Sequence, residues 1–229
     1  MEKVILFVIA LMSIFNIASS QTIRNKTFDE FYSKKMIESS ISKNSLDISD
    51  IQGSPYLNND FQTGSIVTTS NTNYNDISIR YNIFNDEMEF KGNDNNIYSF
   101  EKSTIKNLFI GNTEYVFKAF SIKNSLRRSY FEVLTKGTVT LLKQYHVRFE
   151  EEQPAKAFAD PVPAKFNRLR SDYFIFSNKE AQKFSGFKDL SELLPDKRTE
   201  IEKFIKSKKL KISNEEDIIK VIDFYNSEK

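Results

Sequence analysis

Residues 76–91, DISIRYNIFNDEMEFK, alternate apolar and polar side chains with a period of two. That pattern predicts a β-hairpin with Asn85 and Asp86 as its two-residue turn. In this register Ile83 faces Met88 and Tyr81 faces Phe90, and Ile79 and Ile77 continue the oily face. Phe84, Asn82 and Arg80 share the opposite face with Glu87, Glu89 and Lys91. One apolar face this regular requires a cover from elsewhere in the chain.

The flanking segments supply candidates for that cover. Upstream, Thr27, Phe28, Asp29 and Glu30 form a capping box, and Phe28, Phe31, Tyr32 and Met36 a stripe, which predicts a short amphipathic helix over 27–39. Residues 40–50 read as a polar loop, 51–61 as turn-rich through Gly53, Pro55, Asn58 and Asn59, and 65–69 as a strand. Downstream, 92–96 is a turn and 97–101 a short strand. Segments 106–110 and 114–120 flank Gly111 as a second hairpin, and 127–134 and 138–149 flank Gly137 as a third. Successive hairpins mean antiparallel pairing, because parallel strands need long crossovers. Residues 150–163 hold three prolines and the run Glu150, Glu151, Glu152, and read as a connection or an edge, with further strands at 166–169 and 172–177.

From Phe187 the period becomes helical. Leu190, Leu193 and Leu194 lie one turn apart, and Ile201, Phe204 and Ile205 mark a helix. A second capping box, Ser213 to Glu216, opens a last helix striped by Ile218, Ile219, Val221, Ile222 and Tyr225. The predicted class is α+β: an antiparallel β-sheet of successive hairpins, flat or curved towards a barrel, with a C-terminal helical hairpin. The expected divisions are 1–20, a leader; 21–50, N-terminal helix and polar loop; 51–185, the antiparallel β domain; and 186–229, the helical segment packed on it. A spanning outer-membrane barrel does not fit, since its closing strand would lie near the C-terminus.

The first twenty residues place the rest. Lys3 precedes an almost unbroken apolar run, 4–17, and Ala18, Ser19 and Ser20 offer a cleavage site between Ser20 and Gln21. The expected location is therefore outside the cytoplasm, periplasmic or at the cell surface, with no transmembrane segment after the leader is removed; a retained anchor is the alternative. The chain has no cysteine, so it has no disulfides, cannot be a lipoprotein and must rely on its core. A net charge of +2 gives no electrostatic reason to expect nucleic acid. The 21 Phe and 10 Tyr are numerous enough to fill such a core and leave some at the surface.

Motifs for chemistry are sparse. His146 is the only histidine, which with no cysteine leaves no ordinary zinc site, and no metal or cofactor is expected. Six glycines never make G-x-G. Two S-x-x-K matches, at Ser40 and Ser185, are what a chain rich in both residues gives by chance. Asn93 to Asn96 could offer oxygens to calcium but read more simply as a turn. Glu87 and Glu89 would share a strand face with Cβ atoms about 6–7 Å apart, a spacing within glycosidase range; on an exposed face Arg80 and Lys91 would simply offset them.

Three phrases resemble a family of exported proteins of unknown function from Gram-negative bacteria. They are Gly53 to Asn58 with Phe61, then Arg80, Tyr81 and Asn82 with Glu87 and Glu89, and finally Leu193 to Lys197 with Asn226. The resemblance implies an exported β-rich protein with a C-terminal helical segment and carries no catalytic residues. The functional expectation is a non-catalytic envelope module that binds a protein or envelope component through its sheet face, with Arg80, Asn82, Phe84, Glu87 and Glu89 as the binding candidates. The alternatives are a carboxylate-dependent hydrolase and a carrier of a hydrophobic ligand in a curved sheet.

Overall fold

The computed structural model describes residues 28, 37–38, 51–122, 125–155, 160–177 and 179–227. The apolar zigzags become strands and the late helical stripes become helices, so the class is α+β. One large sheet contains β1 (Ile37–Glu38), β2 (Gln62–Thr68), β3 (Asn73–Asn82), β4 (Glu87–Lys91), β5 (Ile97–Ser99), β6 (Ile105–Ile110), β7 (Thr113–Ile122), β8 (Ser125–Thr135) and β9 (Thr140–Gln144). After a separate ribbon of β10 (Val147–Glu150) and β11 (Lys165–Arg168), the chain returns to it as β12 (Asp172–Phe176) and β13 (Ala181–Phe184). Three helices follow, α1 (Phe187–Leu193), α2 (Arg198–Lys208) and α3 (Glu215–Ser227).

Strand β7 belongs to two structures at once. It pairs with β8 along its length, and β8, β9, β12 and β13 carry the sheet round until β13 meets β7 again, which closes a five-stranded barrel. On the side of β6 the sheet continues as an open wing, β6-β2-β3-β4-β5-β1. A five-stranded barrel is narrow, and side chains fill it. Phe120, Phe131 and Phe174 meet edge to face inside, with centroids 5.0–5.6 Å apart, among Val116, Leu142 and Ala181. The alternate residues of the same strands point outwards. Tyr115 and Tyr130 join the wing core of Ile66, Ile79, Tyr81, Met88, Phe90 and Leu108, whereas Leu141, Ile175 and Phe184 are capped by Leu190, Ile201, Ile218, Val221 and Ile222 of the helices.

That helical cover is pinned at its end. The Asn226 side chain accepts a hydrogen bond from Val139 N (3.0 Å) and donates one to Val139 O (3.1 Å), copying a strand rung at the β8–β9 turn. Gly137 in that turn leaves the space Asn226 occupies, since a Cβ there would sit 2.3 Å from its Cγ.

Several sequence expectations are corrected. The first hairpin keeps its faces but shifts its register by two: Tyr81 pairs with Met88 and Ile79 with Phe90, across a four-residue loop. An even shift leaves every side chain on its expected side. The longer loop is held from within by Asn85 N donating to Asn82 Oδ1, 3.1 Å, and by Asp86 in the left-handed region, φ 53°, accepting the Tyr81 hydroxyl at 2.7 Å. Segments 114–120 and 127–134, expected in separate hairpins, pair with each other as β7 and β8. The expected strand 138–149 breaks after Gln144, and Val147 starts the ribbon instead. One pairing, β13 beside β7 at Ala181 and Phe120, is parallel. Most of the helix expected over 27–39 lies outside the described residues; Phe28 is helical and Ile37–Glu38 is the strand β1.

The turn-rich stretch before β2 forms a strap over the wing. Gly53 adopts φ +79°, and a Cβ would stand 2.2 Å from the backbone oxygen of Phe166 in the ribbon. Replacing Gly53 with Ala therefore imposes both backbone strain and a collision with main chain, at an expected cost of about 2 kcal/mol. Urea unfolding measures it; a variant as stable as the parent would show that the strap is not held against the ribbon.

Candidate functional site

Of the five binding candidates three lie under the strap, Phe84 joins a small aromatic cluster and Glu87 pairs with β5. Arg80 Nε donates to Glu89 Oε2 at 2.8 Å, and Asn82 Nδ2 donates to Glu89 Oε1 at 2.9 Å, so both carboxylate oxygens are engaged. Arg80 also donates to the Tyr56 hydroxyl, 2.8 Å, and its guanidinium lies over the rings of Tyr56 (3.7 Å) and Phe61 (4.4 Å). The strap thus roofs this polar face, and Glu89 is only 5% exposed. Burial pushes the Tyr56 hydroxyl pKa up, which keeps it a donor and acceptor at neutral pH. Glu87 accepts from Ser99 Oγ, 3.1 Å. Phe84 is half exposed and rests edge-on against Phe149 and Phe166 of the ribbon, 6.3 and 5.3 Å between centroids. Arg80, Asn82 and Glu89 are thus brought together, but as a closed structural knot.

His146 Nε2 lies 3.0 Å from Asp172 Oδ2, an oxygen that Lys183 also reaches at 2.6 Å. No group of three metal-capable side chains occurs among the described residues, and no described helix is long and apolar enough to cross a membrane.

An open site lies where β7 changes neighbours. Its pairing with β6 runs from Thr113 to Tyr115, and β13 joins it only at Phe120. Between those points neither strand covers that edge of β7, and the sheet forks. A cleft of ≈ 170 Å³ opens at the fork, into the end of the barrel. Its apolar wall is Val116, Val133, Leu142 and Phe176, and its polar rim is Asn107, Glu114, Lys118, Lys136 and Thr140.

The rim charges differ in their partners. Glu114 accepts from Asn107 Nδ2 and pairs with Lys136 Nζ, both at 2.5 Å. Lys118 has no carboxylate partner among the described residues; its ammonium stands 4.7 Å from the centre of the Phe176 ring. A cation over an aromatic face beside an apolar pit offers charge and apolar surface to one ligand. Sequence reasoning passed over this site, because its members come from β6, β7, β8, β9 and β12. A local signal existed: in 114–120 one face is wholly apolar, and on the other Lys118 interrupts the inward stripe between Val116 and Phe120.

Together these features define a small closed β-barrel with an open wing, a helical cover and a cleft at its fork. No family model, no curated protein and no solved structure matches the chain.

Proposed function

We propose that this chain is an exported, non-catalytic binding module whose ligand is a small organic anion bearing one apolar group. One observation carries the reading: Lys118, without a carboxylate partner among the described residues, stands at the lip of an apolar cleft. A dry cavity of about 150 Å³ admits a benzene ring, so the cleft suits one ring or a short branched chain. The carboxylate or similar group of the ligand would then meet Lys118 at the rim. Export is supported by the leader pattern of the first twenty residues, and an envelope setting by the resemblance to exported Gram-negative proteins. Hydrolysis by Glu87 and Glu89 has weaker support, since Glu89 is roofed over and both its oxygens are committed.

Amide chemical shifts, followed during titration with phenylacetate and with its uncharged amide, test the reading. The expected changes centre on Val116, Lys118, Val133 and Phe176, and the anion binds about fivefold more tightly than the amide. Lys118→Met keeps the apolar stem and abolishes that preference, while Val133→Phe fills the cleft and removes both ligands. Scattered shift changes, or an undiminished preference for the anion in Lys118→Met, would overturn the assignment.

A further inference from the structure

Five lysines crowd into the end of α2 and the bend that follows it: Lys203, Lys206, Lys208, Lys209 and Lys211. All five are exposed, and none makes an ion pair among the described residues. On α2 the apolar stripe of Ile201, Phe204 and Ile205 turns to the barrel. At 100° per residue, Lys203 and Lys206 stand on the opposite face. The helix ends on Lys209 in the left-handed region, φ 53°, a cap that glycine usually supplies. Leu210 N donates to Ile205 O at 3.1 Å and Asn214 N to Lys211 O at 3.0 Å, which holds the bend. Carboxylates on the two helices do not neutralise this cluster. Glu202 pairs with Arg198 at 3.1 Å and Glu215 with Lys143 at 2.6 Å. Asp217 accepts Lys220 Nζ and Lys211 N, both at 3.0 Å, and Asp223 accepts the Thr135 hydroxyl at 2.6 Å. Glu200 and Glu216 are left against five cations.

Lysines in the last turn of a helix complement its dipole, which accounts for Lys206 and Lys208. Lys203 lies before that turn and Lys211 beyond it, so the cluster exceeds what the helix needs. Ammonium groups on long stems, spread over a helix face and a bend, suit a surface of closely spaced headgroup phosphates. Nucleic-acid recognition favours arginine forks and free aromatic faces. Here residues 199–227 hold no arginine, and Phe204 and Phe224 are stacked on each other, 4.3 Å between centroids. We infer that the α2–α3 bend docks on an anionic lipid surface through these five lysines. The inference rests on residues separate from those that carry the cleft reading, so either can fail without the other.

Co-sedimentation with vesicles tests it, using the chain from Gln21 to Lys229, which contains every described residue and omits the apolar run 4–17. The expected result is binding to vesicles of phosphatidylglycerol mixed with phosphatidylcholine, weakened by added salt, and little binding to phosphatidylcholine alone. Lys203→Gln with Lys206→Gln lowers the affinity about thirtyfold, and Lys208→Gln, Lys209→Asn with Lys211→Gln lowers it about a hundredfold. Asparagine tolerates the left-handed cap, and all five positions are exposed, so the fold is not at stake. Arg127→Gln with Arg128→Gln removes two exposed cations from β8 instead and leaves the affinity within about threefold. Equal binding to both vesicle types, no binding to either, unchanged binding by either lysine variant, or an equal loss in the arginine variant overturns the proposal. Retention of a DNA duplex without vesicle binding, lost in the lysine variants, would assign the bend to nucleic acid instead.

Discussion

Arg80→Ala is expected to destabilise the chain by about 3–5 kcal/mol, because it strands a buried carboxylate. Glu89 is 5% exposed, the Arg80 side chain 13%, and the pair is 2.8 Å apart beneath Tyr56 and Phe61. Desolvating two charges costs several kcal/mol, which their mutual attraction and the hydrogen bonds from Asn82 and to Tyr56 offset. Removing one charge leaves the penalty of the other uncompensated. The same logic predicts that Arg80→Met with Glu89→Leu recovers most of the loss, since apolar groups of similar volume need no partner. Urea unfolding of the three variants reads both outcomes. A loss below about 1 kcal/mol in the single variant would mean that water reaches Glu89 beneath the strap.

Phe131→Ala should be comparably severe, for a different reason. The ring is fully buried in the barrel and contacts Phe120 and Phe174 at 5.6 and 5.0 Å. Truncation loses its transfer free energy and leaves a void that a closed barrel cannot collapse around, about 3–5 kcal/mol together. For a chain of this size the melting temperature would fall by roughly 6–20 °C. Thermal unfolding followed by circular dichroism measures it, and a fall of less than about 3 °C would place Phe131 outside the load of the core.

The faces of the elements were legible in the sequence, but their partners were not. Alternation in 76–91 correctly sorts Ile77, Ile79, Tyr81, Met88 and Phe90 to the interior, because burial of one face imposes a period of two regardless of register. The register itself depended on Pro55, whose carbonyl accepts from Ile83 N and Phe84 N, 2.9 and 3.2 Å, and helps hold the loop open. No pattern inside the hairpin reports that contact. The helices at the end were legible for the same reason as the hairpin, their apolar stripes being local, although the cap of α3 is Asn214, whose Oδ1 accepts from Glu216 N at 2.9 Å, and not the expected Ser213. The β7–β8 pairing was hidden because residues 121–128 lack a glycine such as Gly111 and Gly137, which marked the second and third expected hairpins. The closure of the barrel was hidden more deeply, since a single parallel rung between distant residues leaves no periodic trace.

The candidate site divides along the same line. Arg80, Asn82 and Glu89 were recognised as a polar set on one strand face, but whether such a set meets solvent or a roof depends on the strap. Lys118 acquires meaning only once five strands converge on its cleft. A site assembled from strand ends becomes visible when the fold is known, and its residues look unremarkable in order of sequence.

The lone rung from Ala181 to Phe120 also sets a sequence of events in folding. Neighbouring strands β7 and β8 lie close in sequence and can zip together with little entropy lost, whereas the cylinder cannot shut until everything between Phe120 and Ala181 has been laid down. A newly made chain therefore passes through a stage in which the phenylalanine-lined interior lies open along one side. With no cysteine to tie that stage together, sealing the seam is left to β13, which runs on into the helices that cover it.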